Sequence, residues 1–488
     1  MMDFGKIKID WPKVGFFRFK EIKPNRHLLT NEVGEYVILS DKEFKGFLEG
    51  KLKSTAPVFQ VLREQGLIRN QMDFPALISG YRKKNMFLFQ GPSLHIIVLT
   101  LRCDHKCVYC QASSKGESER GFDLDTATAK KTVDIIFASP AKSLAIEFQG
   151  GEPLLNWPVL KFIIEYALEK NKTENKSLEL RLVSNFSTMD KEKLAFLVKN
   201  RVTLCTSLDG PEHVHNKNRA WIRGSSYKHT MKWLGEAQKV YKSKFKNRSR
   251  PGAIVTVSRY SLKYPEKIAA EYIKHGMEAI FVRPLTPLGM AKKVWTKIGY
   301  TPQEYLKFYK TTLNYIISYA LKHPKSRVHE NTAKILLAKI LTEYDPNFLE
   351  LRSPCGAGTG QVLYNYDGKV YTCDEARMVG EDIFCIGNVK DGSYKDIVAH
   401  PTVRILGMAS CLENTACDLC VYKPYCGVCP IYNWAEYGNL FPQASNNARC
   451  IIFGGILDFL FAKLEDKKVR KLFEKWAAYA VPEPQGQK

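Results

Sequence analysis

The sequence predicts an α/β fold: a parallel sheet closed or partly closed as a barrel, with a small α+β module before it and a cysteine-rich region after it. Three observations predict this. Between residues 93 and 287, short β-rich runs alternate with helical stretches, the order of a parallel sheet with helices outside. Residues 26–70 read instead as two extended segments followed by helices, and from residue 351 the chain is Gly-rich, Cys-rich and loop-like until Cys450. A chain of 488 residues is long enough for about two to four domains. The expected divisions are 1–88, 89–345, 346–452 and a closing helix over 453–488.

In the first module, HLLTNEVGEYVILS alternates about a turn at residues 32–35. Ser40 with Glu43 three positions on makes a capping box that opens the helix DKEFKGFLEG, closed by Gly50. PVFQVLREQGLI reads as a second helix ending at Gly66. The barrel strands are LHIIVLTL, SLAIEFQ, LELRLVSN, VTLCTSLD, GAIVTVS and AIFVRPL. Between them stand DTATAKKTVDIIF, VLKFIIEYALEK, KEKLAFLVKN, KWLGEAQKVY and PEKIAAEYIKHG as helices. Two more helical stretches follow residue 301, and GGILDFLFAKLEDKKVRKLFEKW reads as one closing helix. In such a barrel, chemistry gathers at the C-terminal ends of the strands.

Composition narrows the class. Lys and Arg number 73 against 50 Asp and Glu, a formal charge of +23, with 45% hydrophobic and 25% charged residues, which excludes disordered and collagen-like chains. The run Lys242, Lys244, Lys246, Arg248, Arg250 and the basic tail are read as solvated surface. No recognition-helix, RNP or zinc-finger pattern accompanies them, so nucleic acid is not the expected partner. The apolar stretch at 451–464 is interrupted by Asp458 and falls short of the ~20 residues of a membrane span. The N-terminus lacks a signal peptide's apolar centre, and the expected setting is cytoplasmic, without a membrane partner.

Thirteen cysteines are unevenly placed, none before Cys103. In a reducing compartment such clustering points to metal or redox chemistry. LTLRCDHKCVYC places Cys103, Cys107 and Cys110 on one tight loop in CxxxCxxC spacing. Three thiolates there can hold three corners of an iron-sulfur cube and leave one iron open. A zinc site completed by His105 would use a spacing unlike usual zinc ligation. FQGGEPLLN follows the next strand, where Gly150 and Gly151 permit close backbone approach and Glu152 offers a carboxylate to an ammonium group. Further on stand Cys355, Cys373, Cys417-x2-Cys420-x5-Cys426-x2-Cys429 and Cys450. A zinc ribbon separates its pairs by roughly 15–20 residues, so clusters fit this spacing better. Cys205, in the alternating VTLCTSL, reads as a buried core thiol. Asp374 directly follows Cys373, as either a loop-capping carboxylate or a proton acceptor.

These motifs, in this order on successive strand ends, resemble the radical S-adenosylmethionine (SAM) superfamily. The resemblance implies a partial (β/α)6 TIM-like barrel and a [4Fe-4S] cluster on Cys103, Cys107 and Cys110, its open iron chelated by S-adenosyl-L-methionine. It further implies that Gly150, Gly151 and Glu152 meet the methionyl amino end, and Tyr109 and Leu285 the adenine. Ser184 and Asn185 end a later strand of the same site, and Ser207, Asp209 and Arg219 match a segment holding ribose and methionyl carboxylate. The C-terminal pattern resembles the SPASM extension of radical peptide maturases, which binds up to two auxiliary clusters. By position, Cys355, Cys373 and Cys429 would hold the first, and Cys417, Cys420, Cys426 and Cys450 the second. Two departures stand out. The last cysteine pair is one residue closer than usual, and no cysteine lies between 355 and 373, leaving Cys385, Cys411 or an open iron to complete the first cluster.

In the anaerobic sulfatase-maturating enzymes, which share this extension, an aspartate at the step of Asp374 accepts a proton as a serine or cysteine is oxidised. Residues 26–70 resemble the peptide-recognition element of peptide-modifying enzymes. The chain as a whole is similar to the B-type radical maturases of His-Xaa-Ser peptide systems, with FQGPSLHI as the most distinguishing segment. This implies a substrate peptide with His-Xaa-Ser repeats, a second radical maturase, and an electron donor such as flavodoxin or ferredoxin. The implied reaction is hydrogen abstraction by a 5′-deoxyadenosyl radical, giving side-chain oxidation or a cross-link. Sulfatase-maturase-like oxidation of a protein subunit is the alternative, followed by a nucleic-acid-modifying radical enzyme.

Overall fold

The computed structural model describes residues 7–245, 251–441 and 447–481. Its first module is a three-stranded antiparallel sheet: β1 (Arg18–Lys23), β2 (Arg26–Thr30) and β3 (Tyr36–Leu39), in that spatial order. The helices α1 (Asp41–Leu48), α2 (Pro57–Glu64) and α3 (Phe74–Lys84) follow. The Ser40–Glu43 capping box forms, satisfying orphan donors at the start of α1. Leu29, Phe44, Phe47 and Leu62 build a separate small core here. The two expected extended segments are therefore joined by a third. β1 reads RFKEIK, and its charges are held by groups far along the chain: Lys20 by Asp458 at 2.8 Å and Lys23 by Glu465 at 3.0 Å.

The central sheet contains six parallel strands in sequence: β4 (Leu94–Thr100), β5 (Ser143–Gly150), β6 (Ser177–Val183), β7 (Thr203–Ser207), β8 (Gly252–Val257) and β9 (Ala279–Pro284). Between them run α4 (Thr126–Phe137), α5 (Trp157–Glu174), α6 (Lys191–Lys199), α7 (Glu212–Asn218), α8 (Ser226–Phe245) and α9 (Pro265–Lys274). A short β10 (His329–Glu330) pairs with β9, and the row of strands does not close on itself, so the barrel is partial. Side chains alternate with period two. Leu144, Ile146, Phe148, Leu182, Leu204, Val255 and Val282 are buried toward the helices, each burial stabilising by about 1.5–3 kcal/mol. The intervening positions, Glu147, Gln149, Cys205, Ser207, Thr256 and Arg283, line the hollow.

The sheet continues into the cysteine-rich region. β11 (Gln361–Tyr364) pairs parallel with β4, and β12 (Lys369–Tyr371) and β13 (Cys385–Asn388) add antiparallel beyond it. The region read as loop-like thus supplies three strands. Helices α10 (Pro302–Lys322) and α11 (Asn331–Leu341) are sealed by two C-terminal helices, α13 (Ala448–Leu464) and α14 (Lys467–Ala478). A single closing helix was expected. Asp466 ends it by capping α14, accepting from Lys468 N at 2.8 Å and Val469 N at 3.2 Å. Among the described residues no helix is long and apolar enough to cross a membrane. Lys242 and Lys244 are exposed, while Lys246, Arg248 and Arg250 lie outside the described residues.

Candidate active site

The loop after β4 carries Cys103, Cys107 and Cys110 around a cavity of about 160 Å³. Residues 105–107 pair antiparallel with residues 219–221, setting Cys107 opposite Arg219. His105 is fixed at both ring nitrogens, to Asp104 at 2.9 Å and Ser226 at 2.9 Å, and stacks on Trp221 at 5.4 Å. It braces the loop and has no nitrogen left to complete a zinc site. Burial, followed by the neighbouring Cys107 and Glu152, drives the Cys103 thiol well above its ordinary range, and burial pushes Cys107 up to about 11. Cys103 and Cys107, thiols that resist ionisation alone and stand beside Cys110 on one loop, fit a site completed by a cation, which would draw off their protons.

The next strand end closes against this loop. Gly151 N donates to Thr100 O at 2.8 Å and Glu152 N to Arg102 O at 2.8 Å. A Cβ at Gly150 would stand 2.2 Å from Thr100 O, and one at Gly151 2.2 Å from Arg102 O, so only glycine permits this approach. Glu152 is fully buried behind the wall. It accepts from Ser184 Oγ at 2.7 Å, Asn185 N at 2.8 Å and Leu154 N at 3.0 Å, while desolvation raises its carboxyl to about 7. On the opposite side Tyr109 donates to Asp209 at 2.6 Å and accepts from Arg219 at 3.1 Å.

Of the sequence-predicted residues, Cys103, Cys107, Cys110, Tyr109, Gly150, Gly151, Ser184, Asn185, Ser207 and Arg219 line this cavity. Glu152 and Asp209 stand behind it, holding its wall through the bonds above. Leu285 is a core residue whose N–H donates to Tyr300 Oη at 2.6 Å. Gln111, Gln149 and Val183 also line it and were not anticipated. The polar Gln149, two positions after Glu147 in an otherwise apolar strand, was the available signal.

Gln111, Gln149, Val183 and Ser207 also border a second cavity of about 280 Å³ in the barrel hollow. It contains Glu147, Cys205, Arg283, Glu350, Asp374, Glu375 and Arg449. Cys205 therefore faces the hollow and is not the core thiol its alternating strand suggested. Arg283 meets Glu350 at 2.7 Å and Arg449 meets it at 3.5 Å. Burial raises the Glu147 carboxyl above its ordinary value.

Beyond this hollow lie two thiol groups. Cys417, Cys420, Cys426 and Cys450 converge on a cavity of about 60 Å³, and burial with three thiol neighbours pushes Cys426 up to about 12. Cys355, Cys373 and Cys429 are buried in one small apolar cluster, where burial raises each thiol and the nearby Glu375 carboxylate adds to it. Cys385 donates to Gly387 O at 3.5 Å on β13. Cys411 bonds Glu413 at 3.0 Å and lines a different cavity, beside Lys423. Both thiol groups fit iron-sulfur clusters by donor chemistry.

The family profile described as radical SAM superfamily matches residues 97–248, and SPASM, an iron-sulfur cluster-binding domain, matches 355–430. A cysteine-type anaerobic sulfatase-maturating enzyme of Clostridium perfringens is 26% identical over 60% of this chain and 76% of its own. An uncharacterized protein of Methanocaldococcus jannaschii is 25% identical over 64% of this chain and 93% of its own. Among solved structures, native anSMEcpe with bound AdoMet covers 78% of this chain and 100% of its own, with a TM-score of 0.64 and 20% identity. Streptococcus suis SuiB bound to precursor peptide SuiA covers 89% of this chain and 99% of its own, at 0.54 and 14%.

Proposed function

For a radical SAM enzyme carrying a [4Fe-4S] and AdoMet site together with SPASM auxiliary clusters, we propose that the substrate is a side chain of a ribosomally made peptide, with His-Xaa-Ser repeats as the candidate sequence. The observation that carries this reading is the barrel hollow. It adjoins the cofactor cavity on one side and reaches the first auxiliary thiols through Asp374 and Glu375 on the other. A peptide side chain placed there stands between the two.

When bound, the cofactor and clusters supply hydrogen-atom abstraction and an electron sink. The chain's own residues do the rest. The Cys103 loop, braced by His105 and Trp221, fixes where the cofactor stands. Gly150 and Gly151 bring the strand end against it, and Tyr109 with Arg219 closes the far wall. Asp374, which lines the hollow, is the proposed acceptor of the proton released when a carbinol or thiol carbon is oxidised. Relatives support a peptide substrate: SuiB is known with its precursor peptide, and anSMEcpe with a Kp18Cys peptide. The N-terminal sheet, whose β1 and β3 are edge strands, is the proposed leader-recognition element, since a peptide can add to such an edge. A flavodoxin or ferredoxin is the proposed electron donor.

The test is anaerobic reconstitution with AdoMet, reductant and a synthetic His-Xaa-Ser peptide carrying its leader, followed by mass spectrometry. Loss of hydrogens from the peptide with release of 5′-deoxyadenosine supports the reading. Modification of a sulfatase-derived Cys or Ser peptide instead would establish the sulfatase-maturase reading, which the Clostridium relative favours. Cofactor cleavage with neither peptide altered would sink both.

A further inference from the structure

The first auxiliary site has three buried cysteines, and the one further cysteine packed against their apolar cluster among the described residues, Cys385, is only partly buried. Cys385 and Cys411 are engaged elsewhere, on β13 and beside Lys423. The position left open is met by a carboxylate. Cys373 caps α12 (Asp374–Val379) by accepting from Ala376 N at 3.3 Å, which turns the first residues of that helix toward its thiol. One oxygen each of Asp374 and Glu375 lies with Cys373 Sγ in a group whose atoms are all within 4.8 Å of one another.

The two carboxylates share Cys373 and Arg283 and differ in their other neighbours. Beyond these, Asp374 acts on Glu147 and Arg377 around the hollow. Glu375 acts on all three thiols, Cys355, Cys373 and Cys429. Arg449 supplies a fixed positive charge beside Cys429 and Glu375, limiting the negative charge that three thiolates and a carboxylate would concentrate there. A carboxylate oxygen is a competent ligand for iron, and one oxygen among three sulfurs makes that iron chemically distinct.

We propose that Glu375 is the fourth protein ligand of the first auxiliary cluster. The proposal rests on the radical SAM and SPASM assignment but not on the identity of the substrate, because its readouts are spectroscopic. The test uses the full-length protein carrying C103A, C107A and C110A, reconstituted anaerobically so that only auxiliary clusters contribute. In this parent, Mössbauer spectra should show one iron per chain with the higher isomer shift of an oxygen-ligated site. In E375A that iron should be lost on mild oxidation, with the paramagnetic signal of a three-iron cluster appearing, and E375Q should behave alike. E375C should keep its iron and lose the distinct component. D374A should keep both.

Three outcomes overturn the proposal. One is a parent and an E375A or E375Q variant with the same iron content and spectra. The second is added cyanide binding the parent as readily as E375A, which would mean an open iron. The third is loss of that iron from C385A or C411A with none from E375A.

Discussion

Replacing Gly151 with alanine is the sharpest local test of the cofactor site. The added Cβ would lie 2.2 Å from Arg102 O, 2.5 Å from Leu101 O and 2.7 Å from Arg102 C. Ordinary contact begins near 3.4 Å, so a retreat of about 1 Å is needed, and every obstructing atom is backbone, which has no rotamer to escape into. Overpacking of this kind costs about 1–3 kcal/mol. The Glu152 N to Arg102 O bond of 2.8 Å is strained in the same movement, adding about 1 kcal/mol. Arg102 directly precedes Cys103, so the displacement passes into the thiol loop. If the whole loss of about 2–4 kcal/mol falls on the bound state, affinity for AdoMet drops roughly 30- to 1,000-fold. The assay is calorimetric titration of AdoMet into the reconstituted protein, with iron content and melting temperature measured in parallel. Gly454→Ala in α13, where a Cβ meets nothing within 4 Å, is the control and should bind normally. G151A binding AdoMet within a factor of about two of wild type would refute the reasoning.

Other substitutions probe the wall and the thiols. Tyr109→Phe removes the hydroxyl shared by Asp209 and Arg219 and should lower stability by about 1–3 kcal/mol in denaturant titration, with Asp209 left short of a donor. Glu152 carries a carboxyl raised to about 7 against an unfolded value of 4.5, so the folded apo-protein binds its proton more tightly. That contribution is fully present below pH 4.5 and lost as pH rises through 7. Its size is about 3 kcal/mol, and melting curves of E152Q should not show this fall. Asp374→Asn should slow peptide oxidation by roughly 10²- to 10⁴-fold while 5′-deoxyadenosine release persists. Removing iron with a chelator should lower the melting temperature in wild type, and by less in a variant lacking Cys417, Cys420 and Cys426.

Much of this architecture was legible because it rests on local rules. The Ser40–Glu43 box starts a helix wherever it meets an apolar periodic run, and the β-then-α alternation from residue 93 onward needs only hydrophobic spacing. The convergence of Cys103, Cys107 and Cys110 on one cavity was legible because three thiols within eight residues leave little geometric freedom. What escaped depended on distant partners. β1 reads as a charged segment, and its lysines find acids more than four hundred residues later. β11 to β13 are short and become strands because β4 offers an edge to pair with. Cys205 was misread because alternation shows that a strand has two faces but does not show that the second faces a hollow. Cys355, Cys373 and Cys429 are brought together only by the fold, and Glu375 carries no spacing signal at all.

The pairing of β4 with β11 reaches beyond topology. β4 begins the barrel in sequence, yet in space it is interior, with β5 on one side and β11 on the other. Ile97 and Leu99 pack toward the helices with Ile146 and Phe148, while Ile96 and Val98, level with Glu147 and Gln149 of the hollow, pack with Cys355 and Cys373. One face of a single strand thus borders both the hollow and the C-terminal thiol cluster, while its other face anchors the helix layer. A fragment ending after residue 345 would strip β4 of its partner and expose a row of unpaired backbone groups on an apolar strand, the kind of edge that invites aggregation. The two halves are consequently one folding unit for protein engineering: neither can be excised, or exchanged with that of a relative, without rebuilding the seam along β4.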